Sequence, residues 1–253
     1  MLPGPVYLLS DAHLGVAPAE TERDLLQLLR ALPADARALV INGDLFDFWF
    51  EWRHVVPRAG VRVLGELARL VDSGIPVLWI AGNHDCWGGE ILRQDVGVQY
   101  HVGPWRGSLG GWDTVIEHGD GLREREDAPY RRLRTVLRHP LSLRAFRWLH
   151  PDWGTALAMR SSHTSRNHRP RDGGEGLRSV AHARLRAADA PEAIVFGHSH
   201  VASLERAERG VFANPGAWLD QPRFLRFTPE QLELCRWTAE GRVVESALQR
   251  RPS

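Results

Sequence analysis

The chain has 253 residues, of which 43% are hydrophobic and 25% are charged, and its formal net charge is +1. This composition is typical of soluble globular proteins and argues against a disordered chain, while the lack of an apolar run of roughly 20 residues argues against a membrane-spanning protein. Cys86 and Cys235 are too few for a disulfide framework, so we expect a reducing compartment, the cytoplasm.

The first 81 residues alternate between predicted strands and predicted helices. Short apolar runs at 6–9, 38–41 and 76–81 predict buried strands. Apolar residues at helical spacing predict helices over 24–32 and 61–71. This alternation is typical of βαβ units with a parallel sheet, in which functional loops lie at the carboxyl ends of the strands.

The pattern changes in the second half of the chain. After a strand at 114–117, residues 121–190 show Arg-rich helical stretches and a loop, and a further strand follows at 193–196. We therefore expect a core made of residues 1–120 and 191–253, with a helical cap inserted at 121–190. The predicted helices of the cap are 128–138 and 140–149, its loop is 165–176, and hairpin-spaced antiparallel strands are predicted at 202–206, 211–213, 224–227, 232–237 and 242–247.

Charge is unevenly distributed along the chain, which has no lysine. Residues 121–190 contain 15 arginines and 7 acidic residues, whereas the remainder contains 17 arginines and 24 acidic residues. A basic segment on a slightly acidic body indicates an anionic partner, such as a phosphate group, a nucleic acid or an anionic membrane surface.

A polar cluster follows each of the five main predicted strands. Oxygen and imidazole ligands without a thiolate suit Mn, Fe, Zn or Ni, and a carboxylate can bridge two ions in a site for phosphoryl displacement. Each cluster alone is a weak signal, but their shared position at strand ends predicts one di-metal site. A glycine beside a ligand residue lets the backbone turn sharply and come close to the metal ions. The clusters are Asp11-x-His13, Gly43-Asp44, Gly82-Asn83-His84-Asp85, His118-Gly119-Asp120 and Gly197-His198-x-His200.

These motifs resemble those of the calcineurin-like metallophosphoesterase superfamily over residues 6–120 and 193–218. The resemblance implies an α/β fold, a four-layer αββα sandwich, and two divalent metal ions, with Mn²⁺ as the family expectation and Fe, Zn or Ni also compatible with the ligands. It implies that His84 stabilises the transition state or protonates the leaving group, and that Asp85 orients His84. The implied ligands are Asp11, His13, Asp44 and His200 for one metal, and Asp44, Asn83, His118 and His198 for the other.

Within that superfamily the chain resembles the UDP-2,3-diacylglucosamine hydrolases of lipid A synthesis. These carry a helical cap between their His-Gly-Asp and Gly-His-x-His motifs. The opening around Asp11 and the run from Asp44 to Trp49 add to the resemblance. It implies cleavage of the pyrophosphate bond of UDP-2,3-diacylglucosamine, giving UMP and 2,3-diacylglucosamine 1-phosphate. By motif placement, the implied substrate contacts are Asp127, Ser161, Ser162, Thr164 and Arg166.

Position 84 departs from the pattern of the best-known hydrolases of this kind, which have Gly-Asn-Arg-Asp where this chain has His84. A paralogous metallophosphoesterase acting on another phosphodiester or a nucleotide is therefore the alternative. A scaffold without chemistry is a further alternative, but converging carboxylates and imidazoles argue against it, because without metal they repel or cost desolvation energy.

The apolar residues of the cap have two interpretations. They pack a helix pair on the body, or they form an acyl pocket with an arginine rim. A basic, apolar helical surface also favours an anionic membrane, so we expect peripheral contact with the inner face of the cytoplasmic membrane. We expect no nucleic-acid partner, because the chain shows no recognised nucleic-acid module. Trp49 and Trp52 either line the pocket or are buried, and the oligomeric state is left open.

Overall fold

The computed structural model describes residues 1–166 and 172–251, without the side chains of 161–166. Most of its regular elements coincide with apolar runs or helical patterns of the sequence. The strands are β1 Val6–Leu9, β2 Ala38–Asn42, β3 Val77–Ile80, β4 Gln99–His101, β5 Trp105–Leu109, β6 Trp112–Ile116, β7 Ala193–Val195, β8 Ser203–Arg206, β9 Val211–Asn214, β10 Arg223–Phe227, β11 Gln231–Thr238 and β12 Gly241–Gln249. The α-helices are α1 Ala19–Ala31, α2 Val61–Asp72, α3 Ala128–Leu137, α4 Pro140–Arg147, α5 Pro151–Arg166 and α6 Glu175–Leu185.

The strands form two sheets. The larger has the order β12-β11-β10-β1-β2-β3-β4, and the smaller has the order β5-β6-β7-β9-β8. Strands β1 to β4 pair in parallel, as the βαβ alternation predicts. Strands β8, β10, β11 and β12 pair antiparallel, as predicted for the tail, but β9 pairs parallel with β7.

Three apolar clusters separate four layers. In β1, Val6 and Leu8 lie in the cluster between the sheets, while Tyr7 and Leu9 lie in the cluster that α1 and α2 cover, because successive side chains of a strand point to opposite faces. Helix α6 covers the outer face of the smaller sheet, where Leu177 packs with Phe196 and Phe212. The predicted αββα sandwich is confirmed.

Strands β4 and β5 were not predicted, and α1 begins earlier than the predicted start at residue 24. Both strands are edge strands with exposed or half-buried residues, so they lack a continuous apolar run. The first turn of α1 carries Glu20 and Glu22, which favour a helix N-terminus electrostatically but add nothing to the apolar pattern.

The predicted cap contains three helices, α3 to α5, before α6. Helix α5 was not predicted, and the predicted loop at 165–176 is wrong at both ends, since residues 165–166 belong to α5 and residues 175–176 to α6. Residues 167–171 lie outside the described part of the chain. Because α6 packs on the smaller sheet, the division at residues 121 and 190 stays a prediction.

Aromatic side chains attach α4 to the body. Phe146 packs against Phe50 and Trp52, with ring centroids 4.8 and 5.9 Å away, and Trp52 Nε1 donates to the carbonyl oxygen of Leu149 at 3.2 Å. Trp49 and Trp52 are both buried. Packing on the body does not explain the other apolar residues, because Leu133, Val136, Leu137, Leu141, Trp148 and Leu149 are exposed. Among the described helices, none has the length and apolar content to cross a membrane.

Candidate metal centre

The loops after β1, β2, β3, β6 and β7 bring their histidine and carboxylate side chains together. Ligand atoms in each of three groups lie within 4.8 Å of one another. Asp44 belongs to two of the groups, as does His13, and a carboxylate in such a position can be shared by two ions. The groups are Asp11, His13 and His200; His13, Asp44 and His84; and Asp44, His118 and His198.

The closest contacts join side chains that are far apart in the sequence. Nε2 of His13 lies 3.3 Å from Nε2 of His200, and Nε2 of His200 lies 3.3 Å from Oδ1 of Asp11. Nε2 of His118 lies 3.2 Å from Oδ2 of Asp44. The other ring nitrogens of His13 and His200 lie near carboxylates, 3.3 Å from Asp47 and 3.5 Å from Asp220.

The donor set fits divalent metal ions. Oδ1 of Asp11 and Oδ1 of Asn83 are buried and have no hydrogen-bond partner among the described residues. A buried acceptor without a partner is costly, and a cation bound to these oxygens would remove that cost. Oxygen and nitrogen donors without a thiolate are compatible with Mn, Fe, Zn or Ni and do not distinguish among them.

The neighbouring imidazoles keep two carboxylates ionised in spite of burial. Burial opposes the charge of Asp11, yet His200 and His118 lower its pKa to about 2. Burial likewise opposes the charge of Asp44, but His118 and His84 hold the pKa of that carboxyl well below its ordinary value. Both residues are therefore ready to act as anionic ligands at neutral pH.

The backbone is strained at the same positions. Left-handed backbone costs a non-glycine residue roughly 1–2 kcal/mol and clusters at functional sites. In the described part of the chain, the non-glycine residues with positive φ all belong to the implied ligand set. They are Asp11 at 56°, His13 at 46°, Asp44 at 52°, His198 at 61° and His200 at 60°.

Glycines next to the ligands allow the loops to approach one another. A Cβ on Gly82 would lie 2.1 Å from Oδ1 of Asp44, and one on Gly43 would lie 2.3 Å from Nδ1 of His118. Any larger residue would separate the loops, so both glycines are needed for the close approach anticipated from the sequence.

Asp85 has a different role from the one implied by the resemblance. Its carboxylate accepts hydrogen bonds from the backbone N–H groups of Leu45 at 2.9 Å and Gly82 at 2.8 Å. Nδ1 of His84 instead lies 2.9 Å from the carbonyl oxygen of Asp47. The expectation that Asp85 orients His84 is wrong, because both carboxylate oxygens hold the loops that carry Asp44 and Asn83. Burial and the charge of Asp44 raise the pKa of Asp85 to about 7.

Three groups that lie next to the ligand imidazoles were missed by sequence reasoning. Oδ1 of Asp47 lies 3.3 Å from Nδ1 of His13, and Oδ2 of Asp220 lies 3.5 Å from Nδ1 of His200. Nδ1 of His118 lies 2.8 Å from the carbonyl oxygen of Asn42. A possible sequence signal was the carboxylate of Asp47, three residues after Asp44; nothing comparable marks the other two.

The implied substrate contacts lie in the cap. Asp127 is buried, and its carboxylate accepts hydrogen bonds from the backbone N–H of Arg123 at 2.9 Å and from its guanidinium at 2.7 Å. The side chains of the remaining implied contacts lie outside the described residues; they are Ser161, Ser162, Thr164 and Arg166.

The chain matches the family model for calcineurin-like phosphoesterases over residues 4–202. Three curated relatives are named UDP-2,3-diacylglucosamine hydrolase. Those from Porphyromonas gingivalis and Nitrosococcus oceani are 36% and 34% identical over 64% of this chain. The one from Neisseria meningitidis is 32% identical over 78% of this chain and 82% of its own. The chain spans only 63% and 64% of the length of the first two relatives.

Among solved structures, the chain is similar to Yfce, a phosphoesterase from E. coli. The TM-score is 0.51 at 14% sequence identity, and the similarity covers 97% of this chain and 99% of the other. At this identity the comparison supports the fold alone.

Proposed function

We propose that this chain, which belongs to the calcineurin-like phosphoesterase family, is a metal-dependent phosphohydrolase that cleaves the pyrophosphate bond of UDP-2,3-diacylglucosamine. The products are UMP and 2,3-diacylglucosamine 1-phosphate. The observation that carries the proposal is a buried His–Asp centre beside a cap with an exposed apolar and basic surface. This combination suits a substrate with a charged diphosphate and acyl chains. The three relatives named for this activity support it.

Seven residues are proposed to hold two divalent ions, with Asp44 shared between them. When bound, the ions supply positive charge at the phosphoryl group and lower the pKa of water. We propose Mn²⁺ as the native metal, which the ligand set permits. The ligands are Asp11, His13, Asp44 and His200 on one side, and Asp44, Asn83, His118 and His198 on the other.

His84 is the proposed acid at this centre. Its Nδ1 faces the carbonyl oxygen of Asp47, so the N–H lies there and Nε2 carries the lone pair or the second proton. The side chain lies in one group with His13 and Asp44. From this position His84 can donate a hydrogen bond to the charged phosphoryl oxygens or a proton to the leaving group.

We further propose that the cap contacts an anionic membrane face, where a lipid substrate resides. The exposed fraction is 87% for Trp148, 73% for Trp153 and 67% for Leu141, and Arg144 and Arg147 lie between two of these residues in the chain. Exposed tryptophans with arginines nearby are typical of helices that lie in the headgroup region. The same face would receive the acyl chains, and the assigned contacts Asp127, Ser161, Ser162, Thr164 and Arg166 remain part of this proposal.

Product release from purified protein tests the substrate directly. With Mn²⁺ and detergent, we expect rapid release of UMP from UDP-2,3-diacylglucosamine and slow cleavage of bis-(p-nitrophenyl) phosphate and free nucleotides. Turnover of the small diester or nucleotides alone would refute the lipid substrate and favour the second candidate, a paralogous phosphodiesterase. His84, where the best-known lipid hydrolases have arginine, is the observation that favours this candidate.

A further inference from the structure

One buried carboxylate joins the first cap helix to a loop of the metal centre. Asp120 lies two residues after His118, and only 7% of it is exposed. Its Oδ2 accepts hydrogen bonds from the hydroxyl of Tyr130 at 2.7 Å and from Nη1 of Arg134 at 3.2 Å. Nη2 of Arg138 lies 3.5 Å from the same oxygen.

Tyr130 and Arg134 lie on one face of α3, and Arg138, the residue directly after the helix, continues that face. Residues 130, 134 and 138 are four positions apart, which places them one above another along a helix. Nη1 of Arg134 also donates to the carbonyl oxygen of Asp120 at 3.0 Å. The helix therefore binds both the side chain and the main chain of this loop residue.

Asp120 supplies charge to a junction that also contains aromatic side chains. Nearby, α3 and α4 meet the body through Trp87, whose Nε1 donates to the carbonyl oxygen of Leu137 at 3.3 Å, and through the Trp52 and Phe146 packing. At this junction Asp120 forms ion pairs with Arg134 and Arg138. Losing this carboxylate would leave two arginines without their counter-charge.

Arg138 depends on Asp120 in particular. It is 26% exposed, and its buried Nε has no hydrogen-bond partner among the described residues. The neighbouring Cys86 thiol does not neutralise it, because burial raises the pKa of Cys86 to about 12 and keeps it protonated. Asp120 thus compensates a partly buried cation at the junction of α3 with the loops of His118 and Cys86.

We propose that Asp120 is a positioning residue that fixes the position of α3 relative to the metal centre. Through this position it determines the affinity for substrates that contact the cap. This rests on the proposed function, in which the acyl chains meet the cap. The cleavage of a small diester, which reaches only the metal centre, does not depend on the position of the cap. Asp120 therefore acts on specificity through the cap, while the metal ligands act on every substrate.

The test compares Asp120→Asn, Tyr130→Phe and the control Thr135→Ala, an exposed position on the same helix. Tyr130→Phe removes a contact of Asp120 from the cap side without altering the loop. For UDP-2,3-diacylglucosamine, we expect kcat/KM to fall by about tenfold or more in the first two variants, mainly through KM. For bis-(p-nitrophenyl) phosphate, we expect a change below about threefold. Hydrogen exchange of residues 128–147 should become faster, and Thr135→Ala should match the wild type.

Equal losses on both substrates would overturn the proposal, because Asp120 would then serve the metal centre itself. Unchanged kinetics on the lipid substrate, or unchanged hydrogen exchange in α3, would also overturn it. If Asp120→Asn does not fold, Tyr130→Phe decides the question by the same measurements. A wild-type protein that leaves the lipid uncleaved would refute the proposed function alone. Hydrogen exchange of α3, compared between the variants and the wild type, would then decide whether Asp120 holds the cap.

Discussion

Oδ1 of Asp47 lies 3.3 Å from Nδ1 of His13. The carbonyl oxygen of the same residue lies 2.9 Å from Nδ1 of His84. One residue thus contacts two imidazoles on two different loops, one proposed to bind metal and the other to assist the reaction. Both imidazoles belong to one group with Asp44, and Nε2 of His13 lies 3.9 Å from Oδ2 of that residue. Carboxylates behind ligand histidines fix the tautomer and raise the basicity of the ligand nitrogen.

Removing the carboxylate of Asp47 is predicted to weaken metal binding. In Asp47→Ala, we expect the Mn²⁺ affinity measured by calorimetry to fall roughly 10- to 100-fold, because His13 loses its orienting partner. Asp47→Asn keeps an acceptor and should lose less. Asp72→Asn, which removes an exposed carboxylate at the end of α2, is the matched control. An unaltered affinity in Asp47→Ala would mean that His13 is held by other contacts.

Removing the imidazole of His84 is predicted to impair the reaction more than metal binding. In His84→Gln, kcat should fall roughly 10²- to 10⁴-fold, the range for a lost proton donor. The Mn²⁺ affinity should stay near the wild-type value, because His84 is outside the proposed ligand set. A drop in affinity as large as the drop in kcat would instead identify His84 as a ligand. His84→Arg tests whether this position sets substrate choice, since it should change the ratio of lipid to small-diester turnover.

The exposed tryptophans of the cap are predicted to bind anionic membranes. In co-sedimentation with phosphatidylglycerol vesicles, the double variant Trp148→Ser and Trp153→Ser should bind several-fold more weakly than the wild type, because interfacial affinity follows buried apolar area. High salt should weaken binding by screening the arginines. Val243→Ser, an exposed apolar residue on β12, should bind like the wild type. Equal binding by the wild type and the double variant would place any membrane contact elsewhere.

Asp35 is predicted to stabilise the fold in a pH-dependent way. It accepts hydrogen bonds from Tyr7, Arg226 and Arg242 at 2.7, 2.8 and 2.9 Å, and the bond with Arg226 is the main reason its pKa falls to about 2. A lowered pKa means that stability is present above the ordinary carboxyl pKa and is lost as pH falls toward 2. Asp35→Asn should lower the free energy of unfolding by about 1 kcal/mol at pH 7, since exposure screens the network. Urea titrations should show this difference shrinking below pH 4.

Buried strands and helices, and the types of the metal-ligand residues, could be predicted from the sequence. Contacts between residues that are far apart in the sequence could not. The run at 6–9 matches β1 because all four residues are buried, and the run at 61–71 differs from α2 by one residue. Edge strands β4 and β5 carry no such signal. The positive φ values of the proposed ligands and the contact of Asp120 with α3 arise only when distant segments meet. Asp85 shows the same limit: its neighbour in sequence is His84, but its partners are backbone groups of two loops.

The central claim is that five loops form one centre for two metal ions around Asp44, and that this centre hydrolyses the lipid nucleotide. The most direct measurement titrates metal-stripped protein with Mn²⁺ while following bound metal and UMP release from UDP-2,3-diacylglucosamine. We predict two equivalents of bound Mn²⁺ per chain, with UMP release rising as they bind, and a folded Asp44→Ala variant that releases no UMP. Full turnover by metal-stripped protein, or by Asp44→Ala, would contradict the account.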